Sequence, residues 1–562
     1  MNDEKRPQRQ AERARAPSGV GADRPEREWG VHKEHSFLFT FNKDLRQEAS
    51  EDYAIRKVPA HWKRRPFTYG TILFGAVTSV FAFAMGGQIA LMYGMPTLLI
   101  ALVVGFAIGA PLAGIIAWQT ANSSIDTDLL ARGSGFGFLG STFTTLVYGL
   151  NWVMYAGFET AFLAAAIHIE AKSLPMWLLY LICAMAIVPL NWYGISQIHF
   201  FARWTLPLFF AGLIWLFIVT VSKHGAPITF PPMGAKTIFP AIGIVMANVG
   251  IWVLLTGDSA RFARKRERRK IVGITTVIGF GGEFILLPPL GGLMALHSGQ
   301  MNPGTYASAT LGIWGLLWIL ITQVRVQECN YYSGSLSFTN VIARLFHWLP
   351  GRGFFVFMVG VCAFLLAELG IVNHLSQVLT FMGVFLFAAI GTIVFFLSFQ
   401  QRAKLRSGEA WVEHRRAYLR NWGTPAVIGL VAGCVGGGVL SLGNFPSPYG
   451  GLVGIVVGGV GSPLVAALVL AIRPPHSAYY TPRVPPEGWR DTNLSSEEDL
   501  SVPELQTVCG KCAIPVMKCD AVQCPVTDSG VLCSACCSAH GSCHDVCKTE
   551  ASLAKEALAV TA

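Results

Sequence analysis

Only 14% of the 562 residues are charged, so ionisable side chains inside apolar runs are the first candidates for chemistry. Glu159 lies near the middle of one such run, and Arg325 and Glu328 lie in another. A charge placed in hydrocarbon costs at least ~2.5 kcal/mol, which makes it functional by default. Glu159 is suited to reading a donor-rich or cationic edge of a ligand, or to carrying a coupling proton. Arg325 and Glu328 are three residues apart, share a helix face, and are expected to pair. Such a pair would fix helix packing.

A second concentration of reactive groups lies near the C-terminus. Nine of the thirteen cysteines fall between 509 and 547: Cys509, Cys512, Cys519, Cys524, Cys533, Cys536, Cys537, Cys543 and Cys547, with His540 and His544 among them. Two C-x2-C pairs on the reducing side of a membrane argue for metal rather than disulfides. Eight thiolates, or seven and a His, suit two tetrahedral zinc ions in a crossed arrangement, with Cys509, Cys512, Cys533 and Cys536 as one set. An iron–sulfur cluster is the alternative. The segment is too short to bury a core, so metal would supply most of its folding free energy.

The elements that must position these groups are membrane helices. Mean hydropathy is +0.47, and 52% of the residues are hydrophobic. Twelve runs reach the ~20 residues needed to span a bilayer, near 68–93, 96–119, 137–168, 174–194, 203–222, 237–257, 271–297, 306–330, 353–371, 373–399, 423–443 and 447–472. The expected fold class is an all-α polytopic membrane protein. Seven Lys or Arg residues between 261 and 270 mark a cytoplasmic exit. Arg132, Arg203, Arg344, Arg352 and the 402–420 cluster fall on the same side, and only Lys172, Lys223 and Lys236 on the other. This bias puts both termini in the cytoplasm and the chain in the inner, cytoplasmic membrane. The net charge of +10 is thus used for orientation, and nucleic-acid binding is not expected.

The expected domains are a loosely structured basic arm without a signal peptide (1–65), a transporter domain (66–473), a linker (474–505) containing Glu497-Glu498-Asp499, a Cys-rich metal module (506–550) and an end segment (551–562). A short re-entrant helix is considered within 331–352. Most glycines in the spans are expected to serve close helix packing. Two groups, Gly86-Gly87 in the first span and Gly250 to Gly257 in the sixth, lie five spans apart. They are expected to interrupt their helices and frame a midplane binding site between two inverted repeats.

The segment Arg132-Gly133-Ser134-Gly135-Phe136-Gly137-Phe138-Leu139-Gly140-Ser141 resembles the Arg-x-Ser-Phe-Gly-x-x-Gly-Ser element of the nucleobase:cation symporters of family one, with one residue inserted. That family includes cytosine, purine and hydantoin permeases. The Gly-Gly pair of the first span, Gly250-Ile251-Trp252 followed by Asp258-Ser259-Ala260-Arg261-Phe262, and Asn330-Tyr331-Tyr332-Ser333-Gly334 agree in order over roughly 60–475. The resemblance implies a LeuT-type 5+5 inverted repeat with two further helices. It also implies a substrate site in which Tyr155 and Trp252 stack on a flat ring and Glu159, at an amide position, joins Asn330 at its polar edge. Gly86, Gly87 and Gln88 would belong to the same site. Those aromatics would equally serve as packing residues.

Sodium-coupled relatives place hydroxyl residues where this chain has Val324 and Arg325, so transport without sodium is one expectation and proton coupling another. Glu159, Arg325 and Glu328 are the coupling candidates. The expected function is secondary transport of a nucleobase or related heterocycle by alternating access. The alternative is a transporter-like sensor that signals to a cytoplasmic regulatory protein through its tail. No nucleophile–base constellation suggests an enzyme.

Overall fold

The structure is a computed structural model that describes residues 53–59, 62–193, 195–224, 232–348, 350–407, 412–441, 449–472, 483, 485–490, 505–527, 530–540 and 543–549. Most of the basic arm, most of the 474–505 linker with Glu497-Glu498-Asp499, and the 551–562 end lie outside the described residues.

Each of the twelve apolar runs coincides with helix. The first is a bent pair, α1 (Pro66–Val77) and α2 (Val80–Tyr93), with 45° between them. There follow α3 (Met95–Ser123), a short α4 (Thr127–Ala131), α5 (Ser141–Glu170), α6 (Met176–Leu190), α7 (Ile195–His224), α8 (Ala235–Ala260) and α9 (Lys265–Ser298). After a short α10 (Pro303–Leu311) come α11 (Ile313–Phe346), α12 (Arg352–Glu368), α13 (Leu375–Ser407), α14 (Thr424–Val439) and α15 (Gly450–Ile472). Among the described residues, seven helices are individually long and apolar enough to cross a membrane, and the bent pair makes an eighth. The chain is a multi-pass membrane protein. α11 falls short of that hydropathy because it carries Gln323, Arg325, Gln327, Glu328 and Asn330, all buried against neighbouring helices.

Three expectations about interruptions need correction. The first span breaks at Thr78-Ser79, not at Gly86-Gly87, which lie inside α2. There a Cβ on Gly86 would overlap the Pro288 carbonyl and one on Gly87 would press on Ala295, so the pair serves close packing against α9. α8 runs unbroken through Gly250 and Gly257; the first abuts Leu386 and the second Thr127 and Thr120. Among the described residues of 331–352 there is no re-entrant helix, because α11 continues to Phe346.

The last part of the N-terminal arm is also ordered. Tyr53, Ile55, Val58 and Trp62 are buried, and Arg64 forms a bridge with Ala263. The Cys-rich module consists of two antiparallel hairpins, β1 (Gln506–Val508) with β2 (Pro515–Met517) and β3 (Ala521–Gln523) with β4 (Val531–Cys533), followed by α16 (Ser534–Ser538).

Candidate functional site

A helix break leaves backbone groups unpaired on both sides, and the groups around Thr78-Ser79 are answered by named side chains. On the α2 side, Ser79 Oγ accepts from Ala82 N at 3.1 Å. Glu159 Oε1, from the middle of α5, accepts from Phe81 N at 3.2 Å, and its Oε2 accepts from Gln323 Nε2 at 2.7 Å. A carboxylate at a helix N-terminus is favoured by the helix dipole.

On the α1 side, the Arg325 guanidinium donates from Nε to Gly75 O (2.9 Å), from Nη2 to Thr78 O (3.0 Å) and from Nη1 to Thr205 Oγ1 (3.1 Å). It also lies 5.0 Å from the Phe209 ring centroid. The expected Arg325–Glu328 pair is therefore not made: Arg325 is committed to the helix break, and both Glu328 carboxylate oxygens lack a hydrogen-bond partner. The carbonyls exposed by the break attract the cation away from its i+3 neighbour.

Beside the break lies a narrow cavity. Ser79, Phe81, Trp152, Tyr155, Glu159, Trp252 and Asn330 line it, with apolar residues between them. It thus brings together Tyr155, Glu159, Trp252 and Asn330, but not Gly86, Gly87 or Gln88. Two further rings crowd the same wall: Phe81 lies 4.6 Å and Trp152 6.0 Å, centroid to centroid, from Tyr155. Asn330 Nδ2 donates to Gln327 Oε1 at 3.0 Å. The wall has buried hydrogen-bonding groups at its rim and ring faces across its width, the combination a flat heteroaromatic requires.

A polar relay behind this wall was not anticipated from the sequence. Tyr155 OH donates to Asn248 Oδ1 (2.8 Å), and Asn248 Nδ2 donates to Glu283 Oε1 (2.8 Å). Glu283 is fully buried in the π-helical stretch Thr275–Leu286 of α9. The argument that singled out Glu159, a carboxyl within an apolar run, applies equally to Glu283.

In the module, the thiols of Cys509, Cys512, Cys533 and Cys536 all lie within 4.8 Å of one another. Cys533 N donates to Cys509 Sγ and Cys536 N to Cys533 Sγ, each at 3.3 Å. Four convergent sulfurs with backbone N–H···S support fit a tetrahedral metal. The other cysteines do not join them: Cys524, Cys537, Cys543 and Cys547 line a second cavity with His540 and Arg416, and Cys519 belongs to neither group.

No family model and no curated protein matches the chain. Solved structures do. Mhp1, a nucleobase-cation-symport-1 family transporter, in a closed conformation with bromovinylhydantoin bound, is 15% identical over 76% of this chain and 95% of its own, with a TM-score of 0.61. Its inward-facing conformation gives 0.57 at 16% identity, over 75% of this chain and 94% of that one. A Na+-coupled sialic acid symporter in a substrate-bound outward-open state gives 0.51 at 13% identity, over 76% and 93%. The chain has the LeuT-type fold of these membrane transporters.

Proposed function

We propose that this chain is a secondary transporter that moves a nucleobase or related flat nitrogen heterocycle across the cytoplasmic membrane by alternating access. The observation that carries this reading is the cavity at the broken first span, where Tyr155 and Trp252 supply ring faces and Glu159 and Asn330 supply polar rim groups. Glu159 selects a ligand edge rich in N–H donors. The basic 261–270 block supports an orientation in which this end of the bundle, and both termini, face the cytoplasm.

Coupling does not use sodium at the break. Arg325 already occupies the Gly75 and Thr78 carbonyls with a fixed positive charge, which repels a second cation there. Glu159 and Glu283, linked to the cavity wall, are the groups that would carry a proton instead. In the module, Cys509, Cys512, Cys533 and Cys536 would hold one zinc ion.

The test is uptake of radiolabelled cytosine, hypoxanthine and hydantoin by proteoliposomes, with external sodium exchanged for choline. Uptake of at least one heterocycle, unchanged in choline, is the expected result. A sharp fall in choline would refute the role given to Arg325, and no uptake or binding of any flat heterocycle would refute the substrate class.

A further inference from the structure

The end of the bundle read above as cytoplasmic holds a cluster of charges with almost no access to water. Asp126, Asp128, Arg132, Asp258, Arg261 and Arg344 are all buried. They tie α4 and α5 to the ends of α8 and α11. Arg261 Nη1 lies 3.5 Å from Asp126 Oδ2, Arg344 pairs with Asp128, and Tyr148 OH donates to Asp258 Oδ2 at 2.7 Å. Partners in a buried charge cluster attract one another strongly only while water is excluded, and removing one strands the other. An exit on this side requires those helix ends to part.

Two layers cover the cluster. The first is the segment 53–58. Arg261 Nη1 donates to Tyr53 O (3.0 Å), Asn340 Nδ2 to Ala54 O (2.9 Å), and Val58 N to Ser124 O (2.9 Å). The second is the Cys-rich module, which grips that segment from outside. The one Ser534 hydroxyl proton is shared between Asp520 Oδ1 (2.7 Å) and Ile55 O (3.2 Å), and Lys57 N donates to the same Asp520 oxygen (3.0 Å).

A strap from the α13–α14 connection fastens the module to the bundle. Arg416 donates to Asp545 Oδ1 (2.9 Å) and to the Cys537 and His540 carbonyls (3.2 and 2.9 Å), and Arg415 Nη1 donates to Ala521 O (2.8 Å). His414 Nε2 lies 3.1 Å from Asp520 Oδ1. The strap's other edge pairs with the Arg132–Ser141 segment: Phe138 N donates to Arg420 O (2.8 Å), Leu139 N to Asn421 O (2.7 Å), and Gly423 N to Phe136 O (2.7 Å).

Ser534 joins the metal site to this cover. It sits between Cys533 and Cys536, two of the four convergent thiols, and its hydroxyl touches both Ile55 and Asp520. We infer that the module is a metal-dependent lock on the cytoplasmic exit: with the four-thiol site filled, Ser534 and Asp520 hold segment 53–58 over the charge cluster and the exit stays shut. Loss of the metal frees α16, loosens segment 53–58, and lets water reach Arg261 and Asp126, which permits opening. This deepens the transporter and zinc readings and rests on both.

The experiment is hydrogen exchange by mass spectrometry on the full chain in nanodiscs, with zinc content measured in parallel. Zinc-loaded protein is compared with protein stripped by a membrane-impermeant chelator, and with a His414→Ala/Arg416→Ala variant that loosens the strap while leaving the four thiols intact. We expect about one zinc per chain. Stripping should speed exchange about tenfold or more in peptides covering 53–58, 124–141 and 254–263. The variant should show the same rise with its zinc retained. Stripping that unfolds 506–540 yet leaves 124–141 and 254–263 protected would overturn the lock while leaving transport and zinc binding standing. A chain that takes up no zinc overturns it through the metal reading, and heterocycle binding, measured separately, reports on the transporter reading.

Discussion

Glu159 uses one oxygen for the α2 N-terminus and the other for Gln323, so it is both a cap and a cavity wall. The two roles separate by substitution. Glu159→Ala strands Phe81 N in a dry interior and should lower thermal unfolding stability by about 1–3 kcal/mol, the cost of an unsatisfied buried donor. Glu159→Gln keeps an acceptor for Phe81, while Gln323 can turn its otherwise unpartnered Oε1 toward the new amide. Stability should change by less than about 1 kcal/mol, while heterocycle affinity, read by isothermal titration, should fall about tenfold or more, roughly 1.4 kcal/mol. Equal loss of stability in both variants would show that the cap is the whole role.

Arg325 makes the complementary case on the other side of the break. Arg325→Ser should destabilise the protein in choline by about 1–3 kcal/mol for each buried carbonyl left without a donor. Part of that loss should be recovered in sodium, because Gly75 O, Thr78 O and Thr205 Oγ1 would then surround an empty, oxygen-lined space. A melting temperature indifferent to sodium would count against the substitution of guanidinium for cation. The sequence made both ionisable groups visible, because charge within apolar runs is rare. It concealed their partners: Arg325 is three residues from Glu328 in sequence, yet bonds carbonyls 247 and 250 residues away.

At the scale of elements, the helices of the twelve apolar runs were legible because hydropathy is additive along a helix. The position of the break was not. Gly86-Gly87 has the composition of a break but the geometry of a contact, since α2 and the Leu287–Ser298 turns of α9 approach backbone to backbone. The true break is signalled by Ser79, an N-cap type followed by an apolar run, and is set by the partners that receive its freed groups. Gly86→Ala should therefore act as overpacking, costing about 3 kcal/mol, and should reduce the yield of folded protein in detergent size-exclusion chromatography. If Gly86 were a hinge, Ala would be tolerated in yield and would alter transport alone. The nine cysteines show the same limit: spacing nominated the Cys509, Cys512, Cys533, Cys536 set, and only the two hairpins separate it from the other five.

At the scale of the whole molecule, both ends of the described chain converge on one face of the bundle. Arg56 and Lys57 are held between the membrane helices and the module, so trypsin should leave the full chain intact there. A chain ending at residue 473 should keep its twelve helices and its heterocycle binding but be cut after Arg56 or Lys57 within minutes, as mass spectrometry of the digest will show. Equal resistance in both chains would mean that the module does not protect this segment. Charge asymmetry indicated that the ends share a side; it carried no sign that they touch, since hydrogen bonds between Lys57 and Asp520 leave no periodicity to read.

That contact spans 463 residues of sequence, and the one between Ile55 and Ser534 spans 479. It consequently forms late: every membrane helix is made and inserted before residue 534 exists to meet residue 55. Until then a nascent chain holds segment 53–58 over its Arg261 and Asp126 charges without the module's grip, so this face is where a folding chaperone or a quality-control protease would read whether the module has docked.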